Sequence, residues 1–184
     1  ADLAFTMHML SWLAVDGTAA IVEFPGVLYR GAAEAKIRQY LVENNYVDAV
    51  IQLPPDLFFG TTIGTCVIVL KKSKQDNSVL FVDASKQFVR EGNKNKLSAE
   101  NQEMILETLS KRADVDHVAA LVGADTIREN GFNLSVSSYV EAEDTRQEVD
   151  IVELNARIKE IVDRQAVLRA SIDEIVADFE GGAR

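Results

Sequence analysis

The chain has 184 residues, 47% of them hydrophobic and 26% charged, the composition of a globular domain and not of a disordered chain. Its formal net charge of −10 argues against strong binding to nucleic acid by this chain alone, because phosphate contacts are made by lysine and arginine. The one cysteine, Cys66, excludes a disulfide framework, fits a reducing cytoplasm and, inside an apolar run, is expected to be a small core hydrophobe.

In chain order, Leu3 to Val15 is apolar, but Asp2 precedes it, His8 interrupts it and no basic leader is present. At about 13 residues it is too short to cross a bilayer, so no membrane partner is expected. It reads as a helix with Leu3, Phe5, Met9, Leu10 and Leu13 facing a core. Thr18 to Phe24 predicts a strand, Ala32 to Asn44 a helix with Ile37, Tyr40 and Leu41 on one stripe, and Val47 to Leu53 a second strand. That order implies a right-handed parallel crossover in an α/β sheet. A third strand, Thr65 to Lys72, follows too short a loop for another crossover and is expected to run antiparallel to the second. The runs Val47 to Leu53 and Cys66 to Leu70 are apolar enough to be covered on both faces.

Lys74 to Ser78 reads as a turn and Val79 to Ala84 as a further strand. Glu91 to Ser98 is expected to be a polar loop, locally basic through Arg90, Lys94 and Lys96. Ser98 should cap a helix reaching about Arg112, with Met104, Ile105 and Leu109 buried. Val115 to Val122 and Asp125 to Asn130 read as short helical pieces, the second stopped by Gly131. No zinc pattern, phosphate-binding glycine loop or nucleophile elbow occurs, so no metal is expected, and His8 and His117 are assigned structural roles.

Near the end, Thr145 and Glu148 form a capping box, and no Gly or Pro follows until Gly181. Ile151, Leu154, Ile158, Ile161, Gln165, Leu168, Ile172, Ile175 and Phe179 alternate spacings of three and four, which is a heptad seam with one polar member. Such a helix would reach about 43 Å, more than a small domain needs for its own core. Val162 and Val176 widen the stripe, as in a bundle. Packing onto the same chain and recognition of a partner both remain open at this point.

The stretch from Leu53-Pro54-Pro55-Asp56 through Leu57-Phe58-Phe59-Gly60-Thr61-Thr62 to Ile63-Gly64-Thr65-Cys66 joins two of these strands by a loop with adjacent aromatics. Exposed phenylalanines are costly, and an enzyme that extrudes a base needs an apolar platform on which to stack it. With this loop, ordered blocks at Ala1 to Phe5 with His8-Met9, Pro25 to Gly31 followed by Glu34, Ile37 and Arg38, Val79 to Ser85, Asn95 to Leu97, and Gly131 to Leu134 with Ser138 to Val140 resemble the modification subunit of type I restriction enzymes, an adenine-specific DNA methyltransferase. Glu23-Phe24-Pro25-Gly26 departs from that family by lacking a residue, often His, between Pro and Gly.

The resemblance implies an α/β fold: a partial S-adenosylmethionine-dependent methyltransferase (Rossmann-like) sheet lacking its first strands, followed by a helical region with one long helix. Residues 1–90 would be the distal half of the catalytic domain, 91–144 a mixed helical extension, and 145–180 the docking helix. The fifth strand and the hairpin of strands six and seven would be present, leaving an unpaired sheet edge through which the piece would self-associate. The glycine-rich cofactor turn and the catalytic Asn-Pro-Pro-Phe motif are absent, so the chain is expected to be the C-terminal portion of a longer subunit, inactive alone and holding no S-adenosylmethionine by itself. Phe59, and less directly Phe58, would stack the target adenine, against an alternative in which both fill the core. Arg30, Lys94 and Lys96 are candidate DNA contacts, with helix capping as the other role of Arg30. A specificity subunit would dock on the long helix and bring DNA through the full complex, and whether a restriction subunit joins is left open. The alternative from a different class is a non-catalytic assembly module that oligomerises through the helix.

Overall fold

The computed structural model describes residues 2–143 and 150–181, which fall in two compact units divided between Glu143 and Asp144. The first unit opens with helix α1, Asp2–Trp12, then strand β1, Thr18–Glu23, a 3-10 turn over Pro25–Leu28, and helix α2, Ala32–Glu43. Strands β2, Val47–Gln52, β3, Cys66–Lys71, and β4, Ser78–Asp83, follow; then come a hairpin of β5, Val89–Glu91, and β6, Lys94–Lys96, and helix α3, Ala99–Lys111. Strand β7, Ala119–Gly123, and helix α4, Ala124–Glu129, complete the unit apart from a short 3-10 turn at Val136–Ser138.

Five strands form one mixed sheet in the order β1-β3-β2-β4-β7. β3 lies antiparallel between β1 and β2, so β1 and β2 point the same way with one strand inserted between them. β2 and β4 are parallel neighbours, and β7 closes the far side antiparallel to β4. Among the described residues β1 is paired on one side only.

Both faces of this sheet are covered. On one, Val47, Val50, Ile68, Leu70 and Phe81 pack with Leu3 and Leu10 of α1, Leu41 and Val42 of α2, and Ile127 of α4. On the other, Ala49, Ile51, Leu80 and Val82 meet Ile105 of α3, with Met104 and Leu109 alongside. A bulge between Val47 and Ala49 shifts the alternation of β2, so that Val47 and Val50 share a face. Cys66 is fully buried, and burial pushes its thiol up to about 12, which keeps it protonated and inert.

Three expectations from sequence are corrected. Phe5 was placed in the core but is exposed, because Leu3, Thr6 and Leu10 take the inward side of α1 and Phe5 is turned away from them by the 100° step of the helix. Residues 115–122 are not helical: the apolar run Ala119–Gly123 is five residues long, and it gains more by pairing with β4 than a single turn of helix would. Residues 91–98 are not a plain loop either, since Gly92, at φ +63°, turns β5 into β6. Ser98 does cap α3, reciprocally with Asn101. Residues 91–143 belong to the same unit as the preceding ones because β7 completes their sheet.

The second unit is helix α5, Ile151–Gly181, whose first turn is capped by the Asp150 carboxylate accepting from Val152 and Glu153. The predicted capping box of Thr145 and Glu148 lies outside the described residues.

Candidate functional site

The loop between β2 and β3 is tied at its base by its own strands. Leu53 N–H donates to the Thr65 carbonyl at 2.8 Å, and the Gln52 carboxamide donates to the same oxygen at 3.1 Å. Gly64 eases this closure, since a Cβ there would lie 3.1 Å from the Leu53 carbonyl oxygen, closer than ordinary contact. Gly60, at φ +81°, supplies the left-handed turn just after the two phenylalanines.

The tip is held by the β5–β6 hairpin. Asn95, only 6% exposed, donates from Nδ2 to the Pro55 carbonyl at 2.8 Å and from its backbone N–H to the Asp56 carbonyl at 3.1 Å. Lys94 Nζ donates to the carbonyls of Phe58 at 3.2 Å and Thr61 at 3.1 Å, and sits 3.9 Å from the Asp56 carboxylate. Arg90 braces Asn95 Oδ1 at 3.0 Å. A backbone clamped on both sides of the phenylalanines presents their rings in a fixed place.

Those rings point outward. Phe59 is 100% exposed and Phe58 is 39% exposed, so neither is sealed in the core, and both line a concavity of about 430 Å³ shared with Asp2, Val22, Glu23, Phe24, Gly60, Thr61 and Thr65. The wall of this hollow at the end of β1 is acidic: burial raises the Glu23 carboxyl above its ordinary value, and Thr6 donates to it at 3.2 Å. Thr65 Oγ1 is buried and has no hydrogen-bond partner among the described residues. An aromatic wall beside carboxylates suits a flat, uncharged heterocycle better than a phosphate.

The other predicted residues take various places. Arg30 lies 3.8 Å from Asp2 and 3.6 Å from Glu34, with its guanidinium close over Gly26, where a Cβ would displace it. Lys96 pairs with Glu91 at 3.0 Å, and Lys94 is spent on the loop as described. The seam residues of α5 are all exposed. The His8 ring lies tilted against Trp12, with centroids 4.6 Å apart, and His117 Nδ1 meets the Glu141 carbonyl at 3.0 Å. Among the described residues no group of His, Cys, Asp and Glu could hold a metal, and no helix is long and apolar enough to cross a membrane.

Asn95, Gln52, Glu23 and Thr65 were not anticipated as parts of this site. The dipeptide Gly92-Asn93 between two short runs was the signal that would have revealed the hairpin and hence Asn95. Glu23 and Thr65 carried no local signal, because it is the β1–β3 pairing that brings their strand ends together.

The family described as N-6 DNA methylase matches residues 1–148. The chain belongs to that family. It is 46% identical over 181 residues to the methylase subunit of the type I restriction enzyme MpnII of Mycoplasma pneumoniae, covering 98% of this chain and 33% of that protein. The MjaVII methylase subunit of Methanocaldococcus jannaschii is 31% identical over 187 residues, covering 98% and 32%. Among solved structures, the methyltransferase subunit of a type I restriction-modification system from Streptococcus thermophilus superposes with a TM-score of 0.75 at 43% identity, over 77% of this chain and 30% of that one. The M protein of the type I enzyme EcoKI shares the fold, with a TM-score of 0.59 at 16% identity over 91% of this chain and 44% of that one. The chain spans about a third of the length of the curated relatives it matches. Neither a glycine-rich turn after a strand nor Asn-Pro-Pro-Phe occurs in this sequence.

Proposed function

We propose that this chain is the distal part of the modification subunit of a type I restriction-modification system, which as a whole transfers a methyl group from S-adenosylmethionine to N6 of adenine in DNA. In this reading the sheet is the later half of a Rossmann-like methyltransferase sheet, and the free edge of β1 receives a strand from residues that also supply the cofactor and catalytic motifs. The single observation that carries the reading is a fully exposed Phe59 on a loop clamped at both ends, in a family of adenine-N6 methylases. A flipped adenine would stack on that ring, and Phe58 would form the neighbouring wall. Lys94 would serve the base indirectly by fixing the loop, while Arg30 and Lys96 remain the candidates for backbone contact with DNA.

The α5 seam would dock a specificity subunit, which brings the DNA. A subunit that joins these residues to the family's upstream motifs, assembled with its specificity subunit, is expected to place labelled methyl on adenine N6 in duplex DNA. No transfer, or transfer to cytosine, contradicts the proposal. For the docking step, Ile158→Asp with Ile172→Asp is expected to abolish co-purification with the specificity subunit while the sheet unit melts unchanged. Undiminished co-purification would remove α5 from the assembly.

A further inference from the structure

Helix α5 distributes its charge unevenly about its apolar seam. With Ile151, Ile158, Gln165 and Ile172 at one seam position and Leu154, Ile161, Leu168 and Ile175 at the other, the sequence places Asn155, Arg157, Val162, Arg164, Arg169, Ser171, Val176 and Asp178 at the rim positions that flank the seam. All three arginines of the helix stand on that rim. The acids Glu153, Glu160, Asp163, Asp173 and Glu174 stand on the outer face, and among the described residues none of the three guanidiniums makes an ion pair or hydrogen bond, although Glu153, Glu160 and Asp173 lie one turn away. In a chain of net charge −10, a basic rim beside the exposed apolar seam of α5 is a selective feature.

Resting on the docking reading above, we propose that the occupant of this seam is a helix of a different protein, whose own apolar stripe is flanked by glutamate or aspartate. Rim charges set partner choice between packed helices, with like charges facing each other disfavouring the pair. A second copy of this chain is a poor occupant: in parallel register Arg164 would face Arg169 of the other copy, and the sequence offers a single acid on the rim, Asp178, against three arginines. The seam therefore supplies the adhesion and the arginines supply the choice.

The test uses the full 184-residue chain and two labelled synthetic helices of 31 residues. They share an isoleucine and leucine seam and differ only in rim positions, all glutamate in one and all lysine in the other. Fluorescence anisotropy at low salt is expected to show about tenfold tighter binding of the glutamate helix, a few-fold from each exposed pair, narrowing as salt screens the charges. Arg157→Glu with Arg164→Glu and Arg169→Glu should reverse the preference. Equal binding of the two helices, or tighter binding of the lysine helix, overturns the proposal while leaving the seam as a docking surface. Binding of neither helix overturns it together with the docking reading itself. Sedimentation showing a dimer that Ile158→Asp dissolves would make a second copy the occupant, and the proposal would fall.

Discussion

Replacing Asn95 by alanine separates the clamp on the aromatic loop from the fold beneath it. The substitution keeps the backbone bond from residue 95 to Asp56 but removes the carboxamide that donates to the Pro55 carbonyl at 2.8 Å. Asn95 is buried, so that carbonyl loses its partner in a place water reaches poorly, at a cost of about 1–3 kcal/mol. The lost contact with half-exposed Arg90 adds little. For a unit of this size the melting midpoint should fall by about 3–10 °C. The more telling readout is local: amide exchange at residues 58–64 should accelerate strongly, while the β2 and β3 amides of the sheet should accelerate only by the factor that the global loss of stability sets. If the midpoint falls but exchange at residues 58–64 rises no more than in β2, the hairpin is not what holds Phe58 and Phe59 in place, and the reasoning about a pre-set platform is refuted.

Arg38, 3% exposed, donates from Nε to the Phe132 carbonyl and from Nη1 to the Val27 carbonyl, each at 2.9 Å, so Arg38→Met should destabilise the unit by about 3 kcal/mol or more in denaturant unfolding. Arg38→Lys should rescue little, because an ammonium lacks the planar fork that reaches both carbonyls. Glu23 has its carboxyl raised, first by burial, so its charged form is disfavoured in the fold; wild-type stability relative to Glu23→Gln should be equal below the ordinary carboxyl value of 4.5 and should be lost as pH rises through the raised folded value. Matching pH profiles of the two proteins would show that the Glu23 charge costs the fold nothing.

Much of the sheet was legible because its central strands are continuous apolar runs bounded by turn residues. Val47 to Leu53 and Cys66 to Leu70 announced themselves by composition, and the short loop between them fixed their antiparallel pairing. The place of β7 was not legible, since five small apolar residues suit a buried strand and a helical turn equally, and only the open side of β4 decides between them. The amphipathic period of α5 was plain, yet the segregation of its arginines onto the rim mattered only once the helix was seen with its seam exposed. At the site, the sequence marked Phe58 and Phe59 as a loop with a purpose. The Gly92-Asn93 dipeptide pointed to a hairpin there, but not to which loop Asn95 and Lys94, more than thirty residues later, would hold, because the tertiary fold makes that contact and no local pattern encodes it.

Phe59 is where structure and proposed chemistry meet, and one comparison tests it most directly. In a subunit carrying these residues behind the family's cofactor and Asn-Pro-Pro-Phe motifs, methyl transfer to adenine is measured for the wild type, Phe59→Ala and Phe59→Trp. Stacking one base on an aromatic ring is worth about 1–3 kcal/mol, so kcat/KM should fall about 5- to 150-fold in Phe59→Ala and be largely restored by tryptophan. The melting midpoint should not move, since a fully exposed ring contributes little to the fold. Wild-type transfer by Phe59→Ala, or a loss of activity that tryptophan does not restore, would contradict the stacking role.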